Sequence, residues 1–259
     1  MASVLVTGSS AGIGRETVAT LAHNGHRVIA HARDKAKAAQ LGEALPGVAA
    51  VLVGDLESLA ETKSLAAAAN EHGPFDAVVH NAGLGGHARR EATVDGLERI
   101  FQVNVLAPYV LTALLGPCRR IVYLSSGMQA GGIVSLRDLQ FERRRWDGEQ
   151  AYCDSKLCDV LLALVVARRW PQSLSNAVDP GWVKTNMGGR SAPGSVAQGA
   201  EGPIWLATSS DPGALVSGRF LYRRQEVKAK PEAYDHGLQD GLVEALRSLS
   251  GVTLPEVGR

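Results

Sequence analysis

Cysteine is scarce in this chain. Cys118, Cys153 and Cys158 are its only three thiols in 259 residues. An odd set without CxxC spacing supports neither a disulfide framework nor a zinc site, so no metal ligands are expected and a reducing, cytoplasmic compartment is. Net charge is nearly absent as well: 27 Lys and Arg stand against 26 Asp and Glu. The field is too weak to recruit nucleic acid or an anionic membrane surface. The Arg-rich stretches Arg143–Arg145 and Arg219–Lys230 read as solvated faces. Long apolar runs are missing too. Val160–Ala167 falls far short of the ~20 residues that span a bilayer and reads as a buried helix segment. Met1–Thr7 lacks the basic region and apolar stretch of a signal peptide.

What the chain does have is glycine, 29 residues of it, and 45% hydrophobic content, enough for one large domain over 1–259. Short β-branched runs alternate with helical stretches. Strands are expected at Val4–Val6, Val28–Ala32, Val48–Val53, Phe75–His80, Arg120–Ser125 and Leu174–Val178. Helices are expected to about Asn24, from Lys35 to about Leu45, from a Ser58/Glu61 capping box to near Gly73, from about Val94 to Leu115, and over Tyr152–Arg169. This alternation predicts a single-domain α/β Rossmann fold: a doubly wound, mostly parallel sheet with helices on both faces. Two segments break the rhythm, Ser126–Gln150 and Pro180 to about Gly199; irregular stretches that long are usually functional.

Three motifs carry chemistry. Thr7-Gly8-Ser9-Ser10-Ala11-Gly12-Ile13-Gly14 follows the first strand and opens a helix. Its glycines let backbone approach a pyrophosphate, and the helix N-terminus stabilises that charge. The second strand ends on Ala32-Arg33, without the acid that would accept bonds from a ribose 2′-hydroxyl. A guanidinium there suits a 2′-phosphate, which favours NADP(H) over NAD(H). Finally, Tyr152 and Lys156 share one face of a helix, and an ammonium beside a phenol favours the phenolate. That makes Tyr152 a candidate acid/base.

Together with Asn81-Ala82-Gly83, Asn104, Ser126 and Pro180-Gly181, these motifs resemble the short-chain dehydrogenase/reductase family over nearly the whole chain. Tyr152–Leu157, Asp179–Met187 and the long interval from Ser126 to Tyr152 look most like its retinol-dehydrogenase and protochlorophyllide-reductase-like branch. The resemblance implies roles. Tyr152 exchanges a proton with the substrate oxygen, and Ser126 hydrogen-bonds that oxygen, Ser125 being the neighbour that faces the other way. Lys156 binds the nicotinamide ribose and tunes Tyr152. Gly8, Ser10, Gly12, Ile13 and Gly14 cradle the phosphates, and Asp55 with Leu56 meets the adenine. Asn81, Ala82 and Gly83 line the adenosine half, while Pro180, Gly181, Val183 and Thr185 fix the carboxamide. Asn104 joins the catalytic set through its carbonyl. Pro108 has no N–H to offer it, so it is free to hold a water, which in the family links Lys156 to solvent.

Two positions depart from the family pattern. His80 replaces the first Asn of Asn-Asn-Ala-Gly and reads as a packing residue. Ala11 stands where many NADP(H) members carry a base, so the cofactor preference rests on Arg33.

The implied activity is hydride transfer between NADP(H) and a carbonyl or alcohol of a small-to-medium apolar molecule. Reduction of a C=C bond is one alternative, and a dinucleotide sensor without turnover is another. A homodimer is expected as well. Leu157, Leu161, Leu162, Leu164, Val165 and Val166 cover more than one helical stripe, and family members pair this helix across a two-fold axis. Folding of Ser126–Gln150 over that face is the competing outcome.

Overall fold

The central strands read as unbroken apolar runs because both of their faces are covered. In the computed structural model, which describes residues 1–256, β4 (Ala77–His80) and β5 (Arg120–Leu124) are buried along their whole length. With β1 (Ser3–Val6), β2 (Arg27–Ala32), β3 (Ala50–Val53), β6 (Leu174–Asp179), β7 (Arg219–Tyr222) and β8 (Gln225–Val227), they form one eight-stranded sheet ordered β3-β2-β1-β4-β5-β6-β7-β8. Every pair is parallel except the β7–β8 hairpin. The expected doubly wound fold is therefore present.

Alternation along the strands sorts the helices onto two faces. Val4, Val6 and Val28 point to the side of α1 (Gly12–His23) and α7 (Val196–Thr208), packing with Val18, Leu21 and Leu206. Leu5, Ile29 and Val78 point oppositely, meeting Ala69 of α3 (Leu59–Glu71). Ile121 and Tyr123 of β5 share that second face with α5 (Ala107–Leu115) and α6 (Gly148–Arg169). Between β2 and β3 runs α2 (Lys35–Ala44), capped by the Asp34 carboxylate on the Lys37 N–H at 2.8 Å.

Local chemistry explains where several elements start. Ser58 accepts from the Glu61 N–H as expected of a capping box, but the Glu61 carboxylate turns to the Asp55 N–H at 2.8 Å. The expected helix from Val94 begins later. Glu98 caps the short α4 (Arg99–Phe101), which widens into a π-turn at Gln102–Leu106 before α5. At α6 the start is earlier than Tyr152, because Asp147 accepts from the Glu149 and Gln150 N–H groups at 3.0 Å.

Most charged side chains of the two Arg-rich stretches are exposed, as expected, with Arg144, Arg223 and Lys230 half-buried. Arg144 bonds the carboxylates of Asp138 (3.2 Å) and Asp154 (3.0 Å) and lies over the Phe141 ring. Arg219–Lys230 holds β7 and β8, with Phe220 and Leu221 in the core.

The apolar excess of α6 is satisfied within the chain. Its outer face is covered by α8 (His236–Ser250) through Leu242, Val243 and Leu246, and by Val252 and Leu254 beyond it. Tyr109 Oη and Trp170 Nε1 tie down the Val252 and Pro255 carbonyls at 2.9 and 2.8 Å. Toward the start of α6, Gly132 approaches Cys153 and Leu157 so closely that a Cβ there would overlap both. That apolar surplus therefore no longer argues for a homodimer. Among the described residues, no helix is long and apolar enough to cross a membrane.

If α8 completes the core, Leu246→Ala should cost about 2–5 kcal/mol of unfolding free energy, the usual range for a buried Leu. Urea titration measures it. A loss below ~0.5 kcal/mol, typical of surface positions, would show that α8 is peripheral.

Candidate active site

The order of the sheet reverses between β1 and β4, and crevices open at the carboxyl ends of strands on either side of such a point. After β1 the chain turns through Gly8 (φ 65°) and Gly12 (φ 56°), left-handed conformations natural to glycine. Gly14 has no room for a side chain, since a Cβ would overlap the Asn81 amide and the Gly8 carbonyl. Asn81 Nδ2 donates to the Thr7 and Gly8 carbonyls at 2.8 and 3.0 Å, while Thr7 Oγ1 accepts from the N–H groups of Asn81 and Ala82. The end of β4 thereby holds the shape of the turn.

Ala11 at the N-cap of α1 offers no side-chain bond, and the first turn carries no acid. First-turn N–H groups without a cap form an anion site. They line a cleft of about 330 Å³ together with Gly8, Ser10, Arg33, Asp55, Asn81 and Lys156. Gly12, Ile13, Gly14, Leu56, Ala82, Gly83, Tyr152, Pro180 and Thr185 line the same cleft. The turn, its uncapped helix end and the cationic rim fit a dinucleotide phosphate.

Two of the lining residues that escaped the sequence reading bear directly on the turn and the cationic rim. Lys37 supplies a second cation near Arg33, and an i, i+4 look past the end of β2 would have found it. Asp34, the nearest acid, is spent on capping α2, and its contact with Arg33 at 3.8 Å is an exposed surface pair. His31 is the other. Its Nδ1 accepts from the Gly8 N–H (3.0 Å), and its Nε2 lies 2.8 Å from the Gly54 carbonyl, which assigns the proton to Nε2. Burial pushes its pKa below the ordinary histidine value. An imidazole in an otherwise apolar strand was the available signal.

A second cavity, of about 1250 Å³, opens beside the first. Ser126, Gly181 and Val183 line it, and Tyr152 lines both cavities. Ser126 lies at the end of β5, where its Oγ accepts from the Met128 N–H at 3.2 Å. Ser125 is buried, and its hydroxyl donates to the Lys156 carbonyl at 2.7 Å. Asp179, at the end of β6, accepts from the Gly181 N–H at 2.8 Å. Burial raises its pKa, against the N–H groups of Gly181 and Gly127 and the charge of Arg223.

The Lys156 ammonium lies 5.7 Å from the Tyr152 ring centre. It donates to the Leu124 carbonyl at 2.8 Å and to the Asp159 carboxylate at 2.7 Å. Asp159 was not anticipated, although an acid three residues after a lysine on one helix is a recognisable pair. Asn104 sits in the π-turn and lines neither cavity. Its amide brackets Leu84, accepting from the N–H at 2.7 Å and donating to the carbonyl at 3.0 Å, and also donates to Ser155 Oγ. The irregularity inferred from Pro108 is real, but it takes the form of a π-turn, and the side chain of Asn104 makes the contacts described. A Cβ on Gly83 would lie 3.4 Å from Asn104 Oδ1 and 3.6 Å from Lys156 Nζ, so the two residues meet across that glycine.

His80 lies outside both cavities. Its Nε2 pairs with Thr112 Oγ1 at 2.9 Å, its ring packs 4.9 Å from Tyr123, and burial lowers its pKa to about 3. It is a packing residue. Among the described residues, no group of three or more His, Cys, Asp or Glu could hold a metal.

A family model described as short chain dehydrogenase matches residues 2–195. The chain is 41% identical to an uncharacterized oxidoreductase of Emericella nidulans, over 98% of this chain and 99% of that protein. Human retinol dehydrogenase 13 is 32% identical, over 98% and 86% respectively. Among solved structures, an uncharacterized protein from Mycobacterium paratuberculosis superposes with a TM-score of 0.86 at 28% identity, covering 98% of this chain and 95% of that one. A blue fluorescent protein from a metagenomic library, solved in complex with NADPH, gives 0.68 at 26% identity over 85% and 95%.

Replacing His31 by Phe strands the Gly8 N–H and the Gly54 carbonyl. About 1–3 kcal/mol of stability should be lost per buried unpaired group, and the turn should loosen. The folded pKa of His31 lies below its unfolded value of 6.5. Its contribution is therefore present above that unfolded value and lost as pH falls through the folded one. Stability measured from about pH 7 to 5 should drop more steeply for the native protein than for His31→Phe; equal slopes would contradict the neutral clamp.

Proposed function

The chain belongs to the short-chain dehydrogenase family, in its retinol-dehydrogenase-like branch, and from that premise we propose an NADP(H)-dependent oxidoreductase acting on a carbonyl or alcohol of an apolar substrate. The observation that carries this reading is the position of Tyr152. It stands where the phosphate-binding cleft meets the larger cavity, one helical turn from a buried ammonium.

When bound, the nicotinamide supplies or accepts the hydride. The remaining chemistry belongs to the protein. Tyr152 donates a proton to the substrate oxygen during reduction and takes it back during oxidation. Ser126, on the cavity wall, holds that oxygen. Lys156 binds the ribose hydroxyls with its remaining N–H and keeps a positive charge beside the phenol. Asn104 holds Gly83 and Leu84 against that lysine. Val183 and Thr185, after Pro180-Gly181, orient the carboxamide.

The preference for NADP(H) over NAD(H) rests on Arg33 and Lys37 at the adenosine end, without a free acid between them, and is supported by the NADPH-bound relative. Asp55 and Leu56 take the adenine. All these groups come from one chain, which supports residues 1–259 acting as a single unit, and the three free cysteines suit a reducing, cytoplasmic compartment.

The substrate cavity extends the expected size range upward. Trp146, Trp182, Met128 and Met187 line it, and Trp182 is 59% exposed. Exposed apolar side chains gathered around a cavity mark a binding surface. Asp147, Glu149 and Asp179 also line it, whereas no Lys or Arg among the described residues does. An uncharged, ring-bearing ketone or alcohol fits better than an anionic one.

Tyr152→Phe should lower kcat at least ~100-fold and leave NADPH affinity nearly unchanged; retained turnover on a ketone panel would remove Tyr152 from the mechanism. A preference for NADPH of at least tenfold, ~1.4 kcal/mol, should largely vanish in Arg33→Ala through weaker NADPH binding alone. Equal wild-type affinities for NADPH and NADH would overturn the cofactor assignment.

A further inference from the structure

Lys156 is an ammonium removed from water. Its side chain is 7% exposed and that of Asp159 is 4%. Two of its three N–H donors are used inside the protein, on the Leu124 carbonyl and on Asp159. A buried lysine without a counter-charge tends to give up its proton. Asp159 cannot be explained as a ligand, because it lines neither cavity.

We propose that Asp159 is a positioning residue for the reaction, whose carboxylate keeps Lys156 an ammonium and fixes its nitrogen between Gly83 and Tyr152. The inference rests on the roles given to Tyr152 and Lys156 above. It adds to that pair a residue that touches neither substrate nor cofactor and acts through the lysine.

The surroundings leave Asp159 free for this task. From β5, Tyr123 faces it as a phenol that burial keeps protonated, with its oxygen on Thr112 at 2.8 Å. Behind Tyr123, His80 of β4 is neutral. On α6 itself, burial holds Cys158 as a thiol, and Asp154 is already paired with Arg144. Among the described residues, the ion pair that Asp159 makes is the one with Lys156.

Burial pushes the Asp159 carboxyl up to about 6, with the lysine opposing that rise. Burial pushes Lys156 down, but the charges of Asp159 and then Tyr152 outweigh it and leave the lysine above its ordinary value. At neutral pH the pair is ionic, and the lysine stays charged while a proton leaves or enters the neighbouring phenol.

Asp159→Asn keeps the shape and removes the charge. Two measurements read it: an NMR titration of the Lys156 Nζ in 15N-labelled protein, and kcat against pH with NADPH and a ketone that the wild type reduces. In the variant, Lys156 should lose its proton at least about one pH unit lower, and the alkaline limb of kcat should move down by a similar amount. On the acidic side of that limb kcat should approach the wild-type value. A loss of kcat that is uniform with pH, together with an unshifted lysine, would reduce Asp159 to packing and overturn the proposal.

Should Asp159→Asn fail to fold, the melting temperatures of Lys156→Met and Lys156→Met/Asp159→Leu decide instead. The single change abandons a buried carboxylate and should melt lower than the apolar pair; equal melting would also overturn the proposal. A wild type that reduces no carbonyl would sink the proposed activity, yet the lysine titration would still decide the part played by Asp159.

Discussion

The hydrogen bonds from Asn81 to the carbonyls of Thr7 and Gly8 join the two halves of the sheet where its winding reverses. They require Gly14 to lack a side chain, because its Cβ would occupy the space of that amide. They also set the distance between the turn before α1 and the end of β4, and hence the width of the cleft. Gly83 and Leu84 follow directly, and Asn104 pins them against the nitrogen of Lys156. From the first glycine to α6, each placement depends on the one before it, and all of them use backbone held at the carboxyl edge of a sheet buried on both faces.

The site is consequently held by polar clasps more than by apolar packing. His31 ties Gly8 to Gly54, Thr7 ties the turn to Asn81 and Ala82, and Asp179 ties β6 to Gly181. Each clasp answers a backbone group that would otherwise be stranded where the regular strand ends. Their combined effect is preorganisation: the groups assigned to the phosphates and the proton transfer already stand in place.

Much of this was legible in the sequence. The strand and helix periods gave the doubly wound sheet, and Thr7–Gly14 with Tyr152 and Lys156 pointed to one candidate cleft, because these features depend on local spacing. Partnerships across the fold were not legible. His31 looked like one more strand residue until Gly8 and Gly54 came within reach of its two nitrogens. No strand or helix was assigned after Gly199, and the role of that segment became apparent only through contact with α6. Leu161 and its neighbours show the limit plainly: an apolar surplus says that a helix face is covered, without saying by what.

That cover has a consequence for the end of the chain. Strands β1 to β6, the turns at their carboxyl ends and the loop 180–188 line both cavities, so α8 looks dispensable when the sequence is aligned on its motifs. Removing it would bare a broad nonpolar face on the helix that carries Tyr152 and Lys156. Among the described residues, α8 is what keeps water from the apolar face of the helix on which Tyr152 and Lys156 stand.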